Sequence, residues 1–227
     1  PEPAAIKALV FWGAKVPLPH SHFDGEEGLR KNVEWLAAHR ASVGPEFPLM
    51  VDCYMSLTVD YAIRLAEAAR HLNINWWEEV LSPDDNEGYR AIKRACPFVK
   101  WTTGEHEYTR YGMRHLVEER NRDIIQPDVM WVGGMTELLK IAAHASAYDV
   151  MVIPHGSGPY SYQFIASQTG PAFCEYVAAS PDGKSIQPVF GELFVDEPVP
   201  KNGKLTLSDA PGFGMELRDK GMLVEVT

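Results

Sequence analysis

The sequence predicts an α/β chain that forms the larger part of a (β/α)₈ TIM-type barrel. Three observations carry that expectation. Short apolar runs alternate with longer amphipathic stretches, the mark of βαβ units and a parallel sheet. Seven such runs follow one another with no strong linker between them. Each leads toward an ionisable residue, and in a barrel the C-terminal ends of all strands converge on one mouth. A doubly wound open sheet satisfies the alternation alone, but it does not gather every strand end.

In chain order, Ala8–Trp12 is the first apolar run and the first strand expected. Glu26–His39 reads as a helix, because Leu29, Val33 and Leu36 fall on one face. Pro48–Asp52 is the next strand and Val59–Leu72 the next helix, with Ala62, Leu65, Ala66 and Ala69 inward. Ile74–Trp77 follows as a strand. Asp84–Ala95 reads as a helix opened by acidic residues, which favour a helix N-terminus. Val99–Thr102, Ile124–Ile125, Val150–Ile153 and Ala172–Cys174 continue the strands, with Thr136–Tyr148 the clearest helix between them. Beyond about Pro188 the rhythm gives way to Pro- and Gly-rich extended chain, with turn signals at Lys201-Asn202-Gly203 and Pro211-Gly212. The expected division is a barrel unit over residues 1–188 and an extended C-terminal segment over 189–227.

Composition narrows the function classes. With 227 residues, 45% of them hydrophobic, the chain can bury a sizeable core and is not a disordered sequence. A formal net charge of −10 argues against nucleic acid, whose phosphates call for Lys/Arg patches. It also makes an anionic substrate awkward unless a bound cation offsets the local charge. Cys53, Cys96 and Cys174 show no CxxC spacing, so a reduced, cytoplasmic setting is expected. No apolar run reaches the roughly 18 residues of a membrane span. The chain opens on Pro1 and runs directly into an apolar stretch, so the expectation is a barrel without its first strand.

The ionisable residues at the strand ends are, in order, Lys15, Asp52, Glu78, Glu105, Asp128, His155 and Glu175. Burying an unpaired carboxylate costs several kcal/mol, so such a ring needs a compensating cation or proton. Asp52, Glu78 and Glu105 lie 26 and 27 residues apart, about one βα unit each. Three carboxylates without a neighbouring His or Cys set suit a hard cation such as Mg²⁺ rather than zinc. Asp128 and His155 are 27 residues apart on adjacent strand ends. A carboxylate bonded to one imidazole nitrogen fixes the tautomer and raises the basicity of the other, which makes a general base. Glu175 stands one strand further, placed to bond substrate oxygens or to act as an acid. Glu79 follows Glu78 and points to the other face of the strand, which places it outside the site. Lys15 reads either as a substrate-binding group or as the partner of a neighbouring acid. Trp76 and Trp77 read as barrel packing, and His20 and His22 as loop residues.

Taken with their local strings, these residues resemble the mandelate-racemase subgroup of the enolase superfamily, and within it the rhamnonate-dehydratase branch. The strings are Phe11-Trp12-Gly13-Ala14-Lys15-Val16-Pro17, Asp52-Cys53-Tyr54-Met55-Ser56, Gly104-Glu105-His106, Gln126-Pro127-Asp128-Val129, Pro154-His155-Gly156-Ser157 and Pro211-Gly212-Phe213-Gly214. Members of this superfamily pair a Lys or His base with Mg²⁺. The resemblance implies Mg²⁺ on Asp52, Glu78 and Glu105, with His155 as base, Asp128 as its orienter and Glu175 against the substrate. It implies that His106 and Gln126 touch substrate. The implied reaction is dehydration of a sugar acid, L-rhamnonate first among them, to a 2-keto-3-deoxy acid through an enediolate. It further implies a homo-oligomer and an N-terminal α+β capping domain, absent from this sequence, toward which the 189–227 segment returns. The sequence departs from the subgroup at Gly13, where many relatives carry the first Lys of a Lys-x-Lys pair, and at Tyr54, where they carry Asn. A racemase or epimerase of the same superfamily, another acid-sugar dehydratase, and a non-catalytic barrel-derived binding protein stay open as alternatives.

Overall fold

The structure, a computed structural model, describes residues 2–156, 158–170, 173–177, 180 and 185–219. Six parallel strands lie side by side in sequence order: β1 (Ala14–Pro17), β2 (Leu49–Asp52), β3 (Trp77–Glu78), β4 (Trp101–Thr103), β5 (Ile124–Ile125) and β6 (Met151–Val152). A doubly wound sheet reverses its strand order at a switch point. This order never reverses, as in a barrel. Glu175 shows how far the sheet curves, because its two oxygens reach Lys15 on β1 and the amide of Gly156 beyond β6.

The helices that fill the crossovers are α2 (Gly25–Val43), α3 (Val59–Ala68), α4 (Asn86–Ala95), α5 (Thr109–Glu118), α6 (Met135–Ser146) and α7 (Pro159–Ser167), after a short α1 (Pro3–Ala8). Their starts follow local chemistry. Thr58 caps α3 through the amide of Tyr61, and Asp85 caps α4 through the amide of Gly88. Each helix buries one face against the outside of the sheet. Leu36, Leu65 and Ile92 meet Leu49, Val51, Trp77 and Trp101 in one cluster, and Met113, Leu116, Leu138 and Ile141 meet Ile125 and Val152 in another. Side chains alternate along a strand, so the other face forms a separate cluster. Met50 of β2, Trp76 just before β3, Ile124 of β5 and Ile153 just after β6 pack together with Phe173, filling the inside of the curved sheet.

One predicted strand is wrong. Ala8–Trp12 is not a strand; Pro3–Ala8 is helical, and the chain turns at Leu9 and Val10 before β1 begins at Ala14. Pro3 is pre-set for the first helical turn, and Ala4, Ala5, Lys7 and Ala8 are strong helix formers. The last predicted strand, Ala172–Cys174, has Ala172 outside the described residues, and 173–177 carries no strand pairing. Beyond the barrel, β7 (Phe194–Val195) and β8 (Glu216–Leu217) form an antiparallel pair. Between them Lys201 and Lys204 bridge across Asn202 and Gly203, both left-handed. Gly203 presses against the backbone of Val10, which ties this segment to the start of the chain. Among the described residues no helix is long and apolar enough to cross a membrane.

Candidate active site

The register of the sheet brings the acidic strand ends together. Asp52 closes β2 and Glu78 closes β3, and the two are direct register partners. Trp76, two residues before Glu78, shares its face, and its indole Nε1 donates to Glu78 Oε2 at 3.0 Å. Gln126 follows β5, and its Nε2 donates to the same Oε2 at 2.9 Å and to Glu175 Oε1 at 3.1 Å. The Gln126 carbonyl oxygen accepts from the Thr102 hydroxyl. Buried to 1% exposure, Gln126 spends its amide on these groups and separates two carboxylates. Lys15 points from β1 to an ion pair with Glu78 and another with Glu175 at 2.8 Å.

Opposite this cluster stands the imidazole. His155 Nδ1 lies 3.0 Å from Asp128 Oδ2, and its Nε2 lies 3.4 Å from Glu105 Oε2. Asp128 Oδ1 accepts from the amides of Met130 and Trp131 at 2.8 and 3.1 Å, so the carboxylate that orients the ring is itself fixed. Asp52 Oδ1 accepts the amide of Tyr54 at 3.0 Å, in a loop where Tyr54 and Met55 are both left-handed. Two adjacent non-glycine residues in that region mark a strained turn beside a functional group. A cavity of about 1750 Å³ opens over Lys15, Asp52, Trp76, His155 and Glu175. A smaller one of about 380 Å³ lies among Lys93, Arg120, Asp123 and Asp149. Asp123 and Asp149 precede β5 and β6, so it sits at the strands' N-terminal end, away from the mouth.

The charges are unevenly matched. Burial opposes the Lys15 ammonium, but Glu175 and Glu78 outweigh it and hold its pKa above the ordinary lysine value. Glu78 is fully buried, and burial together with Glu175 and Asp52 pushes its carboxyl above the usual range despite Lys15. Burial also raises Glu105, against the pull of His155. Burial disfavours the charged His155 ring, but the bond to Asp128 and the charges of Glu105 and Glu175 prevail and bring it up to about 9. For Asp128, burial is outweighed by hydrogen bonds from His155, Trp131 and Met130, and its carboxyl sits below the ordinary value.

Seven of the nine residues singled out in the sequence fall into two bonded groups, Lys15, Glu78, Gln126 and Glu175 in one and Glu105, Asp128 and His155 in the other. Asp52 is the register neighbour of Glu78, and His106 reaches Glu105 Oε1 at 3.8 Å. As the side chains stand, Glu78 is turned to Lys15 and Glu105 to His155. Among the described residues, no three His, Cys, Asp or Glu side chains are gathered at metal-binding distance. Two residues carry more than sequence reasoning gave them. Trp76 is a donor to Glu78 as well as packing, a role that the i, i+2 spacing on a strand signals. Glu79 is a buried acceptor beneath the β4 loop rather than a bystander. Only the fold of the next loop over it reveals that.

A barrel of sequentially ordered parallel strands, with carboxylates and a His–Asp pair around its C-terminal mouth, defines the class. The chain belongs to the enolase C-terminal domain-like family, which it matches over residues 5–221. It is 49% identical over 216 residues to the L-rhamnonate dehydratase of Saccharopolyspora erythraea, covering 95% of this chain and 55% of that protein. The crystal structure of L-rhamnonate dehydratase from Gibberella zeae superposes with a TM-score of 0.92 at 66% identity, over 96% of this chain and 56% of that one. A structure of rhamnonate dehydratase from Gibberella zeae complexed with Mg gives 0.91 at 64% identity, over 96% and 54%. The chain therefore spans about half the length of these relatives.

Proposed function

We propose that this chain carries the catalytic half of a Mg²⁺-dependent dehydratase of sugar acids, with L-rhamnonate as the leading substrate. The observation that carries the reading is the His155–Asp128 pair set 3.4 Å from Glu105, across the same mouth as Asp52 and Glu78. The likeness to rhamnonate dehydratases supports the choice of substrate.

The donor set fits a hard divalent cation. Four carboxylates, Asp52, Glu78, Glu105 and Glu175, face one lysine and one histidine, and burial, with Glu175 and Asp52 adding to it, still pushes Glu78 up. That is a site with room for more positive charge, and its donors are all oxygens. Asp52, Glu78 and Glu105 are the residues that would hold the ion, after Glu78 turns from Lys15 and Glu105 from His155. When bound, Mg²⁺ supplies a Lewis acid that stabilises negative charge developing on the substrate carboxylate.

The chain's own groups perform the proton transfers. His155 Nε2, in the neutral ring, takes the proton from C2 of the sugar acid, while Asp128 accepts from Nδ1 and holds the ring square to the mouth. The protonated ring then gives that proton to the departing C3 hydroxyl, which leaves as water; the enol left across C2 and C3 loses its O–H proton and takes one up at C3, which gives the 2-keto-3-deoxy acid. Lys15, fixed between Glu78 and Glu175, sets a positive charge where the anionic substrate enters, and Gln126 keeps the two carboxylates apart.

A racemase needs a second base on the opposite side, and Gly13 bears on it. A Cβ at Gly13 would lie 2.8 Å from the carbonyl oxygen of Pro48. A lysine at that position has no room without parting β1 from the start of β2. This favours the one-base dehydration. The reading takes residues 1–188 as the barrel unit, 189–227 as a segment along its outside, and the protein as a cytoplasmic homo-oligomer. The test is to supply the full-length gene product with a library of acid sugars and Mg²⁺ and measure 2-keto acid formation. His155→Asn should abolish turnover and leave Mg²⁺ binding intact; near-normal turnover in that variant would sink the assignment.

A further inference from the structure

Glu79 is a carboxylate with 2% exposure that the proposed chemistry does not use. It follows Glu78, and its backbone is left-handed, at φ 46°, a conformation that is strained for a non-glycine residue. That turn sends its side chain beneath the loop after β4. One oxygen, Oε1, accepts from the Thr103 hydroxyl and from the Gly104 amide at 3.1 Å. The other, Oε2, lies 3.3 Å from Nδ1 of His106. The backbone oxygen of Glu79 accepts the amide of Met55, in the loop that follows Asp52. One residue therefore fastens both neighbouring loops, the one after Asp52 and the one that carries Glu105, to the strand end that carries Glu78.

The polarity of these bonds is informative. Thr103 and Gly104 are donors, so Oε1 must accept. A carboxylate oxygen accepts, so at 3.3 Å Nδ1 of His106 is the donor to Oε2, and in the neutral ring Nε2 keeps the lone pair. Glu105 Oε1, 3.8 Å from the same Nδ1, favours the same tautomer.

We infer that Glu79 is a positioning residue that fixes His106 with its proton on Nδ1, so that Nε2 accepts a hydrogen bond from a substrate hydroxyl. This rests on the dehydratase reading for the identity of the substrate, but not for the state of the ring. Glu79→Gln is the direct test. The amide keeps an oxygen for Thr103 and Gly104, and its NH₂ then faces Nδ1, which must become an acceptor. The proton moves to Nε2, and the ring presents a donor where it presented an acceptor.

In the full-length gene product, the ring ¹⁵N resonances of His106 should exchange their protonated and unprotonated positions in Glu79→Gln. kcat/KM should fall about 10- to 100-fold, the usual effect of removing a group that orients a site residue. The loss should lie mainly in KM, with the folded fraction by circular dichroism and the Mg²⁺ affinity unchanged. A partly unfolded variant would instead lose apparent kcat with KM intact. Unchanged His106 resonances, or a loss in kcat alone, would overturn the inference. Should the wild type turn over no acid sugar, the dehydratase reading fails, and the His106 resonances still decide this one. Should Glu79→Gln not fold, the wild-type ring decides by itself: ¹⁵N resonances that place the His106 proton on Nδ1 support the inference, and a proton on Nε2 would reject it.

Discussion

Asp128→Asn tests the heart of the site, because asparagine differs from aspartate at one atom and in charge. The Asn oxygen can keep both loop amides, those of Met130 and Trp131, which Asp128 Oδ1 now accepts. The other position, 3.0 Å from His155 Nδ1, changes from acceptor to donor. The variant loses one hydrogen bond to a charged partner, worth about 1.5–3 kcal/mol. Expressed in the transition state, that is about 10- to 150-fold in kcat/KM. The NH₂ group also forces the proton of the neutral ring onto Nε2, the nitrogen that should take the substrate proton, so the observed loss should reach or exceed the upper value. Asp128→Ala removes the acceptor for the two exposed loop amides as well, and should be less stable than Asp128→Asn by about 1 kcal/mol. The assay is kcat/KM for 2-keto acid formation, with urea unfolding of both variants and an NMR titration of His155. In the metal-free wild type His155 should titrate near 9, and in Asp128→Asn nearer its ordinary value. A variant with wild-type kcat/KM, or one whose His155 still titrates near 9, would refute the pairing as the source of basicity.

Other outcomes follow from the same contacts. Glu78→Gln should weaken Mg²⁺ binding, measured by isothermal titration calorimetry; unchanged affinity removes Glu78 from the ligand set. His155 has a folded pKa of about 9, above its ordinary 6.5. Its contribution to stability in the metal-free protein is therefore full below pH 6.5 and is lost as the pH rises through 9. Asp128 is depressed, so its contribution is present above the ordinary Asp value and is lost as the pH falls through the folded one; denaturation midpoints across pH measure both arms. Adding Mg²⁺ should lower the His155 pKa, since Glu105 is one of the charges that holds it up; an unmoved titration would argue that Glu105 is not a ligand. Gly13→Ala should cost about 1–3 kcal/mol by overpacking against Pro48, read from a thermal melt.

Much of the fold was legible because its signals are local. Leu29, Val33 and Leu36 repeat with helical spacing, acidic residues open the helix that begins near Asp84, and Met50-Val51-Asp52 reads as a buried strand ending in an acid. Ala8–Trp12 misled for a reason of the same kind: a short apolar run does not reveal its conformation, and here Ala8 ends the helix begun at Pro3 while Leu9 and Val10 form a turn. The site residues were legible as types and spacings. Their pairings were not, because nothing local links Lys15 to Glu175, which are 160 positions apart.

The sequence by itself determined the strand rhythm, the acids at the strand ends and the His155–Asp128 spacing, since periodicity and side-chain type are properties of the chain. Tertiary structure decided which carboxylate meets which cation. It turned Gln126 and Trp76 into donors to Glu78 and folded Glu79 beneath the loop that carries Glu105 and His106. Those outcomes depend on parallel register and on how far the sheet curves. Both are set by packing between residues distant in the chain, and so they become visible once the strands stand side by side.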